Sequence, residues 1–229
     1  MRARIAFHRR IWQPRSGTAW VLGGGGARGA AQVGTLLALL EAGIKPPSAI
    51  VGASVGALDG ATLAACPSLE GARILEDLWL SESARQVFHV HPVGMILSQM
   101  SGRFGPLSAE PVQKLIEKVQ SLSGCMNFGD LKLNLLVVAT DINAGRPALF
   151  RSGPLLPALL ASTAIPGLYP PVRVQGRDYS DGGVVDNVPI STAVREGYRN
   201  VLAIGLMAGA QLRETPASWA ELIARTLCS

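Results

Sequence analysis

The feature that most constrains the fold is a repeated pattern in which a short apolar segment ends in a glycine-rich turn and leads into a helix. Residues 19–22 are apolar, 23–29 are rich in glycine, and 30–42 carry apolar residues at helical spacing. A second strand is predicted over 48–51, followed by Gly-x-Ser-x-Gly and a small-residue helix over 57–65. This succession predicts an α/β fold, a three-layer α/β/α sandwich with a mainly parallel central sheet.

Ser54 lies at the centre of the Gly-x-Ser-x-Gly pattern, between Gly52 and Gly56. In a turn from strand to helix, such a serine sits on strained backbone with its Oγ exposed, and the flanking glycines let neighbouring backbone approach closely. Ser54 is therefore the predicted nucleophile. A plain tight turn is the alternative, because the pattern also arises by chance in loops rich in glycine and serine.

The glycine-rich turn at 23–29 is a second candidate for chemistry, because consecutive backbone N–H groups beside a helix N-terminus bind negative charge. Gly24, Gly26 and Gly29 have the spacing of a dinucleotide-binding loop, but the second strand ends without the acidic residue that such a site needs. The other candidate ligand is the oxyanion of an acyl-transfer intermediate. The position of Ser54 at the neighbouring strand end favours the oxyanion hole.

Composition and charge narrow the class of protein. The 229 residues are 48% hydrophobic and 16% charged, with a net charge of +5. We expect one domain over 19–229 and a basic arm over 1–18 that either stays solvated or contacts anionic lipid headgroups. The arginines of this arm are not interleaved with aromatic residues, so nucleic-acid binding is not expected.

Cysteine usage and hydropathy indicate the compartment. Three cysteines without metal-type spacing predict reduced thiols and a cytoplasmic protein. The first eighteen residues contain no apolar run long enough for a signal-peptide core. No later segment reaches the run of about 18 apolar residues that a membrane span needs. We therefore expect a soluble protein or one bound peripherally to a membrane surface.

Several other segments are expected to support the site. The irregular segment over 81–105 is either a lid over an apolar pocket or loose core packing. Its His89 and His91 are not expected to bind metal, because no further ligand lies nearby. Asp59, about one turn past the predicted nucleophile, is expected to lie at the helix surface or in its first turn. A closing helix is predicted over 217–227.

Two aspartates stand at predicted strand ends. Asp141 follows a continuous apolar run and is expected to bond to loop backbone. A hairpin predicted over 170–179 leads to Asp181, which Gly182 and Gly183 follow. Since glycines permit close backbone approach, the carboxylate of Asp181 is a candidate for presentation at a constricted point.

The positions of histidine decide which hydrolase chemistry is available. A Ser–His–acid triad on an α/β-hydrolase fold needs its histidine after the serine and the acid, but no histidine follows His91. If Ser54 is a nucleophile, a carboxylate must accept its proton directly. A carboxylate is a weak base at its ordinary pKa, so burial and an oxyanion hole have to assist it.

Three motifs together resemble those of the patatin-like phospholipases, lipid acyl hydrolases that use a Ser–Asp dyad. They are Gly-Gly-Gly-Ala-Arg-Gly at 24–29, Gly-Ala-Ser-Val-Gly-Ala at 52–57 and Asp-Gly-Gly at 181–183, in the family's order. The resemblance spans about 20–206. Bacterial members often continue for several more helices, so it implies either a compact form or one that is short at its C-terminus.

Carried over residue by residue, the resemblance implies that Ser54 is the nucleophile and Asp181 its base. The backbone amides of Gly25, Gly26 and Ala27 would form the oxyanion hole. The supporting residues would be Gly24, Arg28, Gly29, Gly52, Gly56, Gly182 and Gly183. Arg28 would brace the glycine loop or contact a phosphate.

The implied activity is cleavage of carboxylic esters of lipids, of phospholipase A, lysophospholipase or esterase type, through an acyl-enzyme and without metal or organic cofactor. The implied partners are a lipid or acyl-ester substrate and, transiently, a membrane surface. A nucleotide-binding module and a non-catalytic lipid-binding relative are the alternatives. Gln32, where many relatives carry histidine, and Ala53, where threonine is common, are expected to affect substrate preference.

Overall fold

The computed structural model describes residues 15–88 and 107–206. Seven strands pair into one sheet in this part of the chain. They are β1 (Arg15–Leu22), β2 (Ala49–Ala53), β3 (Asn134–Asp141), β4 (Arg146–Phe150), β5 (Val172–Val174), β6 (Arg177–Asp181) and β7 (Tyr198–Ile204). The helices are α1 (Gly29–Glu41), α2 (Val55–Ala65), α3 (Leu69–Leu80), α4 (Glu82–Phe88), α5 (Glu110–Ser123), α6 (Leu155–Ser162), α7 (Gly183–Asp186) and α8 (Ile190–Arg195). Single 3-10 turns lie at Gly26–Arg28 and Phe128–Asp130.

The central strands of the sheet run parallel to one another, whereas β6, which ends at Asp181, pairs antiparallel with its neighbours. β1 pairs with β2 and β7, and β2 pairs with β3, all in parallel. β3 pairs antiparallel with β4 and β6, and β5 extends the sheet from β6. The predicted hairpin is confirmed as β5 and β6, and it delivers Asp181 against the direction of β3.

Side chains of the central strands alternate between two apolar clusters. Trp20 and Leu22 of β1 lie in the larger cluster, which α1, α2, α3, α5 and α6 complete from one face. Ala19 and Val21 lie in the second cluster, together with Ala193 of α8. Strands buried on both faces read as continuous apolar runs, which is why the sequence carried this signal. The predicted α/β/α layering is confirmed.

Two boundaries differ from the sequence prediction. β1 begins at Arg15 and so takes in the end of the segment assigned to the basic arm. The reason is tertiary, because Arg15 N donates to Gly197 O over 2.9 Å and its side chain lies 3.8 Å from Glu196. The segment predicted to be irregular from residue 81 begins with α4, whose Ala84 and Val87 are buried. A helix of seven residues is too short for its apolar residues to give a recognisable periodic signal.

Some predictions fall outside the described residues. These concern His89, His91, the helix predicted over 217–227 and most of the basic arm. Among the described helices, none combines the length and the apolar character that crossing a membrane requires.

Candidate active site

Ser54 occupies the turn between β2 and α2. Its backbone has φ 54° and ψ −128°, a positive-φ conformation that costs a non-glycine residue on the order of 1–3 kcal/mol. The Ser54 N–H donates to Ser162 Oγ over 2.9 Å, and the Ser162 hydroxyl donates to Val138 O over 2.7 Å. The end of α6 and the middle of β3 therefore hold the strained turn in place.

Close backbone packing explains the glycines that flank the site. A Cβ on Gly56 would lie 2.2 Å from Leu22 O, because the first turn of α2 crosses the end of β1. A Cβ would likewise lie within 3.0 Å of another heavy atom at Gly24, Gly25, Gly29, Gly52, Gly182 and Gly183. Gly26 differs, since it has open space around it but a φ of +56°. The predicted supporting glycines thus bring the three motifs into contact.

β3 aligns the two predicted reactive residues. Val138 lies opposite Ala53 of β2, and the next residue, Ala139, lies opposite Asp181 of β6. The ends of β2 and β6 consequently meet beside each other. Ser54 Oγ donates a hydrogen bond to Asp181 Oδ2 over 2.5 Å.

The carboxyl of Asp181 is buried and anchored. Its second oxygen, Oδ1, accepts a hydrogen bond from Gly183 N over 2.7 Å, and Thr140 Oγ1 donates to its backbone carbonyl over 2.6 Å. Burial raises the pKa of Asp181 to about 6, against the opposing effect of the hydrogen bonds from Ser54 and Gly183. Asp181 is therefore a stronger base than an ordinary aspartate while still mostly ionised at neutral pH.

The glycine loop presents free donors beside Ser54. Gly24 N donates to Asn187 O over 3.0 Å, and Arg28 N to Gly25 O over 3.2 Å. The N–H groups of Gly25, Gly26 and Ala27 donate no hydrogen bond to any described residue. Unsatisfied amides at the start of a helical segment are the donors that an anion uses.

An apolar cavity of about 160 Å³ opens at Ser54. Gly26 and Ala27 line it together with Val55, Leu58, Val87, Val112, Thr163, Ile165, Leu168 and Tyr169. A mostly apolar lining with a few polar groups is typical of sites that bind small organic ligands. The hydroxyl of Ser54 and the unpaired amides of Gly26 and Ala27 are polar groups in the wall of this mostly apolar cavity.

Asp59 and Asp141 are two further residues whose positions were predicted from the sequence. The expectation that Asp59 lies at the helix surface or in the first turn is wrong, because the side chain is 1% exposed and accepts a hydrogen bond from Trp79 Nε1 over 2.9 Å. Asp141 bonds to the amide of Ala144 over 3.0 Å, as predicted, and also pairs with Arg177.

Gln32, which was expected to affect substrate preference, is fully buried. Its Nε2 donates to Gly23 O over 3.4 Å and to Ile204 O over 3.2 Å. It braces the first turn of the glycine loop against β7 and is absent from the lining of the cavity at Ser54.

Sequence reasoning missed Ser162 and Asn187. The sequence does contain a signal for Ser162, because it is a polar residue at the end of the apolar run 155–161. A hydroxyl that is buried at such a position needs hydrogen-bond partners. Asn187 gives no comparable signal, since its carbonyl meets Gly24 only through the fold.

Comparisons with known proteins identify the family to which the chain belongs. A family model described as patatin-like phospholipase matches residues 20–194. An uncharacterized NTE family protein of Mycobacterium tuberculosis is 35% identical over 188 residues, which cover 82% of this chain and 48% of the relative. Patatin-like phospholipase domain-containing protein 7 of Rattus norvegicus is 33% identical over 188 residues, which cover 81% of this chain and 13% of the relative.

A solved structure shares the fold. VipD from Legionella pneumophila superposes with a TM-score of 0.52 at 18% identity, over 80% of this chain and 49% of that chain. The chain belongs to the patatin-like phospholipase family. It spans about half the length of the mycobacterial relative and less of the mammalian one.

Proposed function

We propose that this protein is a serine lipid acyl hydrolase that cleaves carboxylic esters through an acyl-enzyme on Ser54. The observation that carries the proposal is the hydrogen bond from Ser54 Oγ to the buried carboxyl of Asp181, 2.5 Å long, at the end of an apolar cavity. Membership of the patatin-like phospholipase family supports a lipid ester as substrate. Ser54 and Asp181 act as the catalytic dyad in this proposal.

In the first step, Ser54 Oγ attacks the ester carbonyl carbon while its proton passes to Asp181 Oδ2. The negative charge that develops on the carbonyl oxygen is stabilised by the free amides of Gly25, Gly26 and Ala27, which form the oxyanion hole. The tetrahedral intermediate then expels the alcohol or lysolipid, which takes the proton from Asp181. The acyl group remains on Ser54, with its chain in the apolar cavity.

In the second step, a water molecule attacks the acyl-enzyme and gives its proton to Asp181. The same oxyanion hole stabilises the second tetrahedral intermediate, and its collapse returns the proton to Ser54 Oγ. The products are a fatty acid and a regenerated dyad. Every proton transfer in this cycle uses Asp181, whose raised pKa suits both directions of transfer.

Labelling with a fluorophosphonate tests the nucleophile directly. We expect one adduct on Ser54 by peptide mass spectrometry and none in the Ser54→Ala variant, while Ser191→Ala, an exposed serine on α8, keeps the label. Hydrolysis of p-nitrophenyl acyl esters should be lost in Ser54→Ala and in Asp181→Asn. Full activity in either variant would overturn the proposed dyad.

The two alternatives give different results in the same experiments. A nucleotide-binding module would show a higher melting temperature with NAD or ATP and an unlabelled Ser54. A non-catalytic lipid-binding relative would bind lipid without forming the adduct. A panel of phospholipids, lysophospholipids and glycerides, with products identified by mass spectrometry, then defines the ester that is preferred.

A further inference from the structure

Asp59 is a buried carboxyl that the proposed reaction steps do not use. It lies on α2 about one turn after Ser54, and its side chain is 1% exposed. Trp79 Nε1 donates to its Oδ1 over 2.9 Å, but its Oδ2 is buried with no hydrogen-bond partner in the described part of the chain. An unpaired buried polar atom costs more free energy than one ordinary hydrogen bond contributes. Asp59 is therefore a poor device for stability, and such exceptions are expected at functional sites.

The hydrogen-bond partner of Asp59 contacts the glycine loop. A Cβ on Gly29 would lie 2.3 Å from Trp79 Cζ2 and 2.6 Å from Val55 Cγ2. The six-membered ring of the indole and the Val55 side chain thus occupy the space that a side chain would take at Gly29. Gly29 begins α1 directly after the 3-10 turn of the glycine loop, and Val55 directly follows Ser54. Trp79 therefore packs where the glycine loop meets the turn that carries the proposed nucleophile.

We propose that Asp59 and Trp79 are positioning residues that hold the oxyanion hole at a fixed place relative to Ser54; this inference rests on the proposed function. The hydrogen bond between α2 and α3 fixes the orientation of the indole ring, and the ring contacts the loop. A donor stabilises a developing oxyanion only when it lies about 2.7–3.1 Å from the place that the charged oxygen takes. A small displacement of the loop would therefore slow acyl transfer while the acyl chain still binds.

A purely structural role for the same hydrogen bond makes a different prediction. If the bond only fastened α3 to α2, its loss would lower the free energy of unfolding and leave the turnover of folded molecules unchanged. Asp59→Leu separates the two roles, because leucine removes both the acceptor for Trp79 and the unpaired Oδ2. Leucine has the same number and branching of heavy atoms as aspartate. A cavity of about 10 Å³ beside Asp59 leaves room for its methyl groups.

Steady-state kinetics of the full chain with a p-nitrophenyl ester measure the effect. In Asp59→Leu we expect kcat to fall about 10–100-fold with KM within about twofold of the wild type. The free energy of unfolding should not fall, because the unpaired polar atom is removed as well. Asp59→Asn keeps an oxygen that accepts from Trp79 Nε1, so its kcat should stay within about twofold of the wild type.

A second variant removes the other partner of the hydrogen bond. Trp79→Phe keeps an aromatic ring but lacks the N–H, so we expect it to lose kcat to about the same extent as Asp59→Leu. Because both residues act through one contact, the double variant should lose no more than either single variant. Losses of kcat that multiply in the double variant would contradict a shared role.

Leu75→Val is the matched control. Leu75 is buried on α3, one turn before Trp79, and the substitution leaves the hydrogen bond to Asp59 in place. We expect a lower free energy of unfolding and a kcat within about twofold of the wild type. An unchanged kcat in folded Asp59→Leu would overturn the inference, as would an equal loss of kcat in Leu75→Val.

The position of the glycine loop can also be followed without turnover. In ¹H–¹⁵N spectra, we expect the backbone amide resonances of residues 25–29 to shift in Asp59→Leu and to stay close to their wild-type positions in Asp59→Asn and Leu75→Val. Shifted loop resonances in a protein that hydrolyses no ester would contradict the proposed hydrolase and support the coupling of Asp59 to the loop. Unshifted resonances in an active enzyme would support the hydrolase and refute the positioning role.

Discussion

Among single residues, Asp181 has the property with the clearest consequence for the proposed chemistry, its raised pKa. The proposed reaction needs its ionised form, and burial raises its pKa to about 6. We expect kcat/KM for a neutral p-nitrophenyl ester to fall about tenfold per pH unit below about pH 6 and to level off above it. A pH–rate profile at constant ionic strength measures this. A plateau that extends down to pH 4 would contradict a base with this pKa.

Replacing that base gives the second prediction. Asp181→Asn keeps the shape of the side chain but cannot accept the Ser54 proton, so we expect kcat to fall by about 10²–10⁴-fold. Urea unfolding of the variant checks that the fold is intact. Retention of more than about a tenth of the wild-type kcat would argue that another group accepts the proton.

Ser162 accepts the hydrogen bond from the backbone of the proposed nucleophile and does not line the cavity at Ser54. Ser162→Ala removes the acceptor of the Ser54 N–H and leaves that buried donor unpaired. We expect unfolding free energy to fall by about 1–3 kcal/mol and kcat to fall about 10–100-fold with little change in KM, because the strained turn relaxes. The control is Thr62→Val, which deletes a buried hydroxyl on α2 away from the turn. Equal kinetic effects in both variants would assign Ser162 to stability alone.

These residues also show what sequence could predict. Ser54 could be predicted as a nucleophile from a local glycine pattern, and the lack of a histidine after His91 pointed to a carboxylate as its base. The resemblance to the patatin-like phospholipases then singled out Asp181. Ser162 was not, because its bond to Ser54 spans 108 positions and needs the fold to form. Asp59 was misplaced for the same reason, since Trp79 buries it from another helix.

At the scale of elements, the contact between α2 and β1 depends on Gly56. A methyl group there would lie 2.2 Å from Leu22 O, which is backbone and cannot move aside. We expect Gly56→Ala to lower the free energy of unfolding by about 1–3 kcal/mol and to abolish fluorophosphonate labelling. Urea denaturation and labelling measure the two effects.

Gly34→Ala is the matched control. Gly34 is exposed on α1, with no heavy atom within 4 Å of the position its Cβ would take. Alanine is the better helix former, so this variant should gain about 0.5–1 kcal/mol. A loss of stability there as large as in Gly56→Ala would show that close approach to β1 is not the cause.

Helices with a strong local sequence pattern were predicted well, whereas features of the fold that depend on contacts between distant residues were not. α1, predicted over 30–42, is observed over Gly29–Glu41, because apolar residues at helical spacing after a glycine-rich turn are a local signal. The order of strands in the sheet was not readable, because pairing of β3 with β2, β4 and β6 is set by tertiary contacts.

At the scale of the whole molecule, Asp59 makes stability depend on pH. The folded state keeps its proton up to about pH 8, whereas the unfolded chain releases it near 3.8. Stability from this group is therefore fully present below about pH 4 and is lost as pH rises toward 8, by up to about 1.4 kcal/mol per pH unit. We expect Asp59→Asn to show a flatter decline of unfolding free energy between pH 5 and 8. Parallel curves for the two proteins in urea would contradict this.

The family model matches the part of the chain that contains the candidate active site. The match covers residues 20–194, which contain all three motifs and the strands that join them. The regions matched to the two relatives cover 48% of the mycobacterial protein and 13% of the mammalian one.

β3 contributes no reactive side chain, yet it pairs with the strands that end at Ser54 and at Asp181. If β6 shifted by one position along β3, a neighbouring residue would lie opposite Ala139 in place of Asp181. The side chain of Asp181 would then point to the other face of the sheet. Evolution can therefore exchange the side chains of β3 for others of similar size but cannot insert or delete a residue in it. Natural variants of this domain should show substitutions in β3 and gaps only in the turns on either side.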